Sequence, residues 1–160
     1  MVIVSDTSCI SNLYQIGKLN LLQQVFGQIL IPEIVHKELL QFHDTAIIAQ
    51  LNMYSIFIER VKDLEILEKV KTFNLDIGET EAISLALQYK DSVLIIDERA
   101  GNKIASNLGI RTVGTLGVII TAKEKGLINF VKPLFDDLKN KTNFFFSPKL
   151  YFQLLNYVGE

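Results

Sequence analysis

Val2-Ile3-Val4-Ser5-Asp6-Thr7-Ser8 opens with a short apolar run that ends on a carboxylate flanked by hydroxyls. The run Val2 to Ser5 reads as a buried strand, and Asp6 marks its carboxyl end. Helical spacing follows over Ser8 to Ile16 and Leu19 to Phe26, with Gly17 between them, so the first unit is a strand feeding a helix. The same alternation continues outward. Strands are expected at Gln28–Ile31, Ser55–Glu59, Ser92–Ile96 and Arg111–Val113. Helices are expected at Glu33–Gln41, opened by Pro32, and at Thr45–Leu51, Asp63–Phe73, Ile77–Tyr89, Arg99–Leu108 and Thr115–Lys125. Strands separated by helices imply a mostly parallel sheet covered on both faces, a three-layer α/β/α architecture. Beyond Lys132 the pattern is less regular. Leu134–Leu138 reads as helical, Phe144–Phe146 as an edge strand, and Ser147-Pro148 as the start of a last helix through Tyr157.

Composition narrows the class. The 160 residues fit a single domain, 1–160, with no linker, repeat or low-complexity segment, and such a chain buries enough apolar surface to fold without disulfides. The lone Cys9 lies among apolar residues and reads as a buried thiol, which points to a reducing, cytoplasmic setting. No signal peptide is expected, because Asp6 interrupts the first apolar run, and Val113–Ala122 is too short to span a bilayer, so no membrane association is expected. A net charge of −2 gives no global attraction for nucleic acid, leaving any phosphate binding to a local patch. With 49% hydrophobic residues and a mean hydropathy of +0.27, part of the apolar surface is expected either in a dense core or under a second copy.

Four acids fall where strands end or helices turn inward: Asp6, Glu38, Glu81 and Asp97. In an open α/β sheet those points converge on one crevice, and carboxylates crowded there are relieved by a divalent cation. Each acid also has a plainer explanation. Asp6 has the chemistry of a helix N-cap and Glu38 that of a solvated helix charge. Asp76 and Glu79 have capping-box spacing, which gives Glu79 a structural role and leaves Glu81, at the mouth of the apolar stretch Ala82–Leu87, as the acid needing a partner. Asp97 ends a strand as Asp6 does, with Glu98 as an alternative. Glycine loops of the Walker or dinucleotide type are absent, and the second acid that phosphoaspartyl enzymes place two residues after the first is here Ser8.

Taken in order, four motifs resemble the PIN domain, and more narrowly its prokaryotic branch of proteins related to VapC-type toxins. They are Val2–Ser8, Ile31-Pro32-Glu33-Ile34-Val35-His36-Lys37-Glu38-Leu39, Gly78-Glu79-Thr80-Glu81-Ala82-Ile83, and Leu94-Ile95-Ile96-Asp97-Glu98-Arg99-Ala100 with Gly114-Thr115-Leu116-Gly117-Val118. The resemblance runs from Val2 to about Gly126 and leaves the aromatic segment 132–158 unexplained. It implies a helix-flanked parallel sheet, an acid cluster binding Mg²⁺ or Mn²⁺, and hydrolysis of single-stranded RNA. Carried over by position, Asp6, Glu38, Glu81 and Asp97 (or Glu98) are the metal-binding and catalytic acids. Ser8 would orient a water or phosphate oxygen, and Arg99 with Lys103, a helical turn apart, would grip the RNA backbone. Many relatives carry a basic residue where this chain has Asn102. The rival expectation is a PIN-like scaffold that binds RNA or protein without cleaving. A homodimer and a protein antitoxin are the partners expected alongside the RNA.

Overall fold

The computed structural model describes residues 1–160 and shows a five-stranded, all-parallel sheet with ten α-helices around it. The strands are β1 (Val2–Ser5), β2 (Ile29–Ile31), β3 (Ile56–Ile58), β4 (Ser92–Ile95) and β5 (Arg111–Val113), in the order β3-β2-β1-β4-β5. β1 is central, as its uninterrupted apolar run demands. It pairs with β2 through Val4 and Leu30 and with β4 from Val2–Ser92 to Ser5–Ile95.

Successive strand residues feed two cores. Ile3, Ile29, Ile31, Ile56 and Ile95 face one side of the sheet, while Val4, Leu94 and Ile96 face the other. The first side is closed by α1 (Thr7–Gln15), α2 (Asn20–Phe26), α3 (Glu33–Phe42), α4 (Ala46–Met53), α8 (Thr115–Glu124), α9 (Lys132–Lys141) and α10 (Pro148–Tyr157). The second is closed by α5 (Leu64–Lys71), α6 (Ile77–Leu87) and α7 (Arg99–Asn107), which contribute Val70, Ala82, Ile83 and Ala105. Helix starts follow their caps. Asp63 accepts from the amides of Glu65 and Ile66 at 3.0 Å, and Asp76 accepts from that of Glu79 at 2.8 Å. Ser147 accepts from that of Leu150 at 3.1 Å, with Pro148 in the first turn.

One expected element is absent. Phe144–Phe146 forms no strand; β3 and β5 are the edges of the sheet, and the segment has no partner there. Phe146 instead packs into an aromatic group. It lies 5.6 Å from Phe135 and stacks on Tyr151 at 5.7 Å between ring centroids, and the Tyr151 hydroxyl donates to Asp136 at 2.7 Å. Burial of large rings outweighs β propensity where no ladder is on offer. No helix is long and apolar enough to cross a membrane.

Candidate active site

Strand order reverses between β1 and β4, and the crevice outside their carboxyl ends is where open α/β sheets bind ligands. Asp6 and Asp97 follow these two strands. The Asp6 amide donates to the Ile95 carbonyl at 3.0 Å, so the backbone ladder itself sets the two acids side by side.

Asp6 occupies the N-cap position of α1, with extended backbone, yet its side chain makes no capping bond. Ser8 Oγ faces both of its carboxylate oxygens, at 3.0 and 3.2 Å. Only 3% exposed, Asp6 is pushed up to about 8 by burial and by the Asp97 and Glu79 charges, against the opposing Ser8 bond. Asp97 is fixed from behind by the first residue of α8. The Thr115 amide donates to Oδ1 at 2.6 Å and the Thr115 hydroxyl to Oδ2 at 2.5 Å. Burial raises Asp97 above its ordinary value and these bonds hold it down in part.

Glu38, on α3, accepts a short hydrogen bond from the Thr7 hydroxyl. Its carboxylate lies over Gly78 in the first turn of α6, where an added Cβ would sit 2.7 Å from Oε2. Glu79 is 7% exposed, and its Oε1 is the one buried side-chain polar atom without a hydrogen-bond partner. Burial raises it to about 7, with the Asp76, Glu98 and Glu38 charges adding to the effect and a hydrogen bond from the Asp76 amide opposing it. It rests against Gly101 of α7, where a Cβ would meet Oε1 at 2.9 Å. Gly114 does the same for Asp97, also at 2.9 Å. Each of these three acids therefore has a glycine for its seat.

The crevice is a cleft of about 540 Å³ lined by 13 residues, of which one, Phe42, is apolar and none is Lys or Arg. Asp6, Ser8, Glu38, Glu79 and Glu98 line it; Asp97 lies just beneath, bonded to Thr115. Glu81 does not. It lines a separate hollow of about 350 Å³ with Lys71 and Asn74, and burial raises it there, with the Glu33 charge next. The reason is helical geometry, since two residues turn a side chain by about 200° and carry Glu81 away from the face Glu79 presents. Capping-box spacing does not keep Glu79 out of the cleft. Asp76 caps the Glu79 amide, but the Glu79 carboxylate faces the cleft. Arg99 and Lys103 are exposed on α7, outside the cleft lining, and Asn102 is occupied by the Thr112 hydroxyl at 3.2 Å.

Sequence reasoning missed one wall of the cleft. Ser11, Asn12 and Gln15 continue from Ser8 at i, i+3, i+4, i+7 on α1 and form with it a polar stripe opposite the buried Cys9, Ile10 and Leu13. That spacing was visible in the sequence. The rest of the wall, Phe42, His43 and Asn143, comes from the end of α3 and the segment after α9, which only the fold brings together. Ser11 Oγ and His43 Nε2 are 2.7 Å apart, and burial holds the imidazole below its ordinary value despite the Asp44 charge.

The donor set suits a hard divalent cation. It consists of carboxylate oxygens, one of them buried and unpartnered, together with an aspartate that burial and the Asp97 charge push up to about 8. No three of the acids stand close enough to clasp one ion between them as they are.

A family model described as a PIN domain matches residues 2–160, extending past Gly126 to take in α9 and α10. No match is found among curated proteins. Matched over nearly its whole length, and folded with its acids at the β1–β4 crevice, this chain belongs to the PIN-domain family, whose members are generally nucleases that use divalent metals.

Proposed function

We propose that the protein is a metal-dependent endoribonuclease that hydrolyses phosphodiester bonds of single-stranded RNA, with Asp6, Glu38, Glu79 and Asp97 as its working acids and Glu98 at the mouth. The observation that carries this reading is the unpartnered, buried Glu79 Oε1 in one cleft with the equally buried Asp6, where no Lys or Arg lines the walls. Such a pair is a costly arrangement unless a cation completes it. Asp6, Glu38, Glu79 and Asp97 would hold Mg²⁺ or Mn²⁺, which would lower the pKa of an attacking water and offset charge developing on the phosphoryl oxygens.

The chain's own residues set the geometry. Thr115 locks the Asp97 carboxylate, Thr7 holds Glu38 against Gly78, and Ser8 orients Asp6 and offers its hydroxyl to a water or phosphate oxygen. Glu81, in its separate hollow, is left out of this set and Glu79 takes its place. Arg99 and Lys103, on the exposed face of α7, would hold the RNA backbone as it leaves the cleft. The chain 1–160 acts as one cytoplasmic unit of the VapC-related branch, working as a homodimer through its exposed carboxyl-terminal aromatics, with a protein antitoxin as regulator.

The test is an assay of the purified chain on unstructured RNA with Mg²⁺, Mn²⁺ or chelator. Turnover that needs the metal and vanishes in Asp6→Asn is expected. Binding without turnover under all conditions would favour the second reading, a non-cleaving scaffold. That reading draws support from the absence of any three-acid clasp and of Lys or Arg in the cleft.

A further inference from the structure

The cleft has two halves of opposite character. One is the acid cluster. The other, built from Asn12 and Gln15 on α1, Phe42 and His43 at the end of α3, and Asn143 after α9, carries no formal charge from Asp, Glu, Lys or Arg. Phe42 is 66% exposed and is the only apolar side chain in the lining, so its ring is an open face in an otherwise polar cleft. Its neighbour His43 is held by Ser11 and by an edge contact with Tyr14 at 4.9 Å between centroids, which fixes the backbone next to the ring. The Gln15 and Asn143 amides make no hydrogen bond within the chain, and Asn12 makes only a long one, 3.4 Å, to Asp97. From Ser8, which touches Asp6, to Gln15 the stripe on α1 runs about 10 Å, room for about three nucleotides at a stacked rise of about 3.4 Å.

An aromatic face beside free amides matches the chemistry of a nucleobase, flat on one side and lined with donors and acceptors at its edge. A phosphate finds no fixed cation here. We propose that this neutral arm binds an unpaired base of the substrate RNA, stacked on Phe42 with its edge read by the Asn12, Gln15 and Asn143 amides. The proposal deepens the ribonuclease reading and rests on it. Its consequence is that single-strandedness is selected by stacking, because a paired base cannot offer its face to Phe42. Affinity should also depend weakly on salt, since few counterions are released.

Anisotropy titrations of the full chain with a labelled, unstructured RNA in Ca²⁺, and cleavage kinetics of the same RNA in Mn²⁺, test this. Phe42→Ala is expected to weaken binding and raise KM by about tenfold or more, Phe42→Tyr to restore both, and the fully paired oligonucleotide to bind at least as poorly as Phe42→Ala does. The log-log salt slope of the parent should be shallower than about −2. Because Phe42 is exposed, circular dichroism of the variants should match the parent. Equal binding and KM for Phe42→Ala and the parent, no binding by the parent, or equal affinity for paired RNA would overturn the base arm. The two readings fail separately. Phe42-dependent binding without cleavage keeps the arm and removes the nuclease, whereas cleavage at equal KM by parent and variant keeps the nuclease and removes the arm.

Discussion

Glu79 and Glu81 share one helix and differ in everything that matters for chemistry. Glu79 is buried in the cleft with a free oxygen; Glu81 lies in another hollow near Lys71. Glu79→Gln is therefore expected to lower hydrolysis by about 100-fold or more, and Glu81→Gln to leave it within about twofold, as kcat/KM on unstructured RNA would show. The Asp76–Glu79 spacing offers a complete structural role for Glu79, and nothing in a linear reading shows that its carboxylate also lines the cleft while Glu81 lies outside it. Asp6 gives a pH signature in chelator. Its folded value of about 8 lies above the ordinary 3.8, and that of Glu79, about 7, lies above the ordinary 4.5. The native state thus holds more protons than the unfolded chain between about pH 4 and 8, so stability falls as pH rises through that window. Asp6→Asn should flatten the fall and be roughly 2–4 kcal/mol more stable than the parent at pH 8, measured by urea unfolding. A parent that gains stability over the same range would contradict the burial of uncompensated acids.

At the level of elements, α6 and α7 approach the acids through glycines instead of side chains. A methyl added at Gly78 collides with the carboxylate end of Glu38, a flexible group that can yield, while alanine favours the helix by about 0.5–1 kcal/mol. Gly78→Ala is accordingly expected to melt no lower than the parent yet hydrolyse RNA several-fold more slowly, with weakened Mn²⁺ binding by calorimetry. Unchanged metal affinity would show that the Glu38 position is immaterial. The elements themselves were legible from pattern alone. β1 and β4 show unbroken apolar runs because both faces are covered, and the cap residues Asp63, Asp76 and Ser147 announce their helices. Phe144–Phe146 was misread because three aromatics in a row have strand propensity, and only the fold shows that they lie off the sheet edges and beside Phe135. The far wall of the cleft was invisible for a similar reason. Phe42, His43 and Asn143 carry no shared motif and meet only in three dimensions.

For the molecule as a whole, two bulk properties are open to measurement. Excess Mn²⁺ should raise the melting temperature by about 5–10 °C at saturating concentration, an increment that Asp6→Asn and Asp97→Asn largely remove. The high hydropathy is only partly explained by the two cores, since Phe145, Phe152 and Tyr157 remain 86%, 66% and 68% exposed. Light scattering is expected to give twice the chain mass, and Phe152→Glu to halve it without unfolding; a monomeric parent at micromolar concentration sinks the dimer. Tyr151 is unsuited to that test, being buried against Phe135 and Phe146 and bonded to Asp136. The pairing of β1 with β4 has a mechanical consequence. Asp6 is tied by its amide to the last residue of β4, and Asp97 follows two residues on and is pinned by Thr115, so both acids are anchored at the centre of the sheet. Glu38 and Glu79 stand instead on α3 and α6, which are held to the sheet by side-chain packing. The cleft is thus a vice with one jaw cast into the frame and the other seated on it, so a change in the packing under α3 and α6 is expected to shift Glu38 and Glu79 before it reaches Asp6.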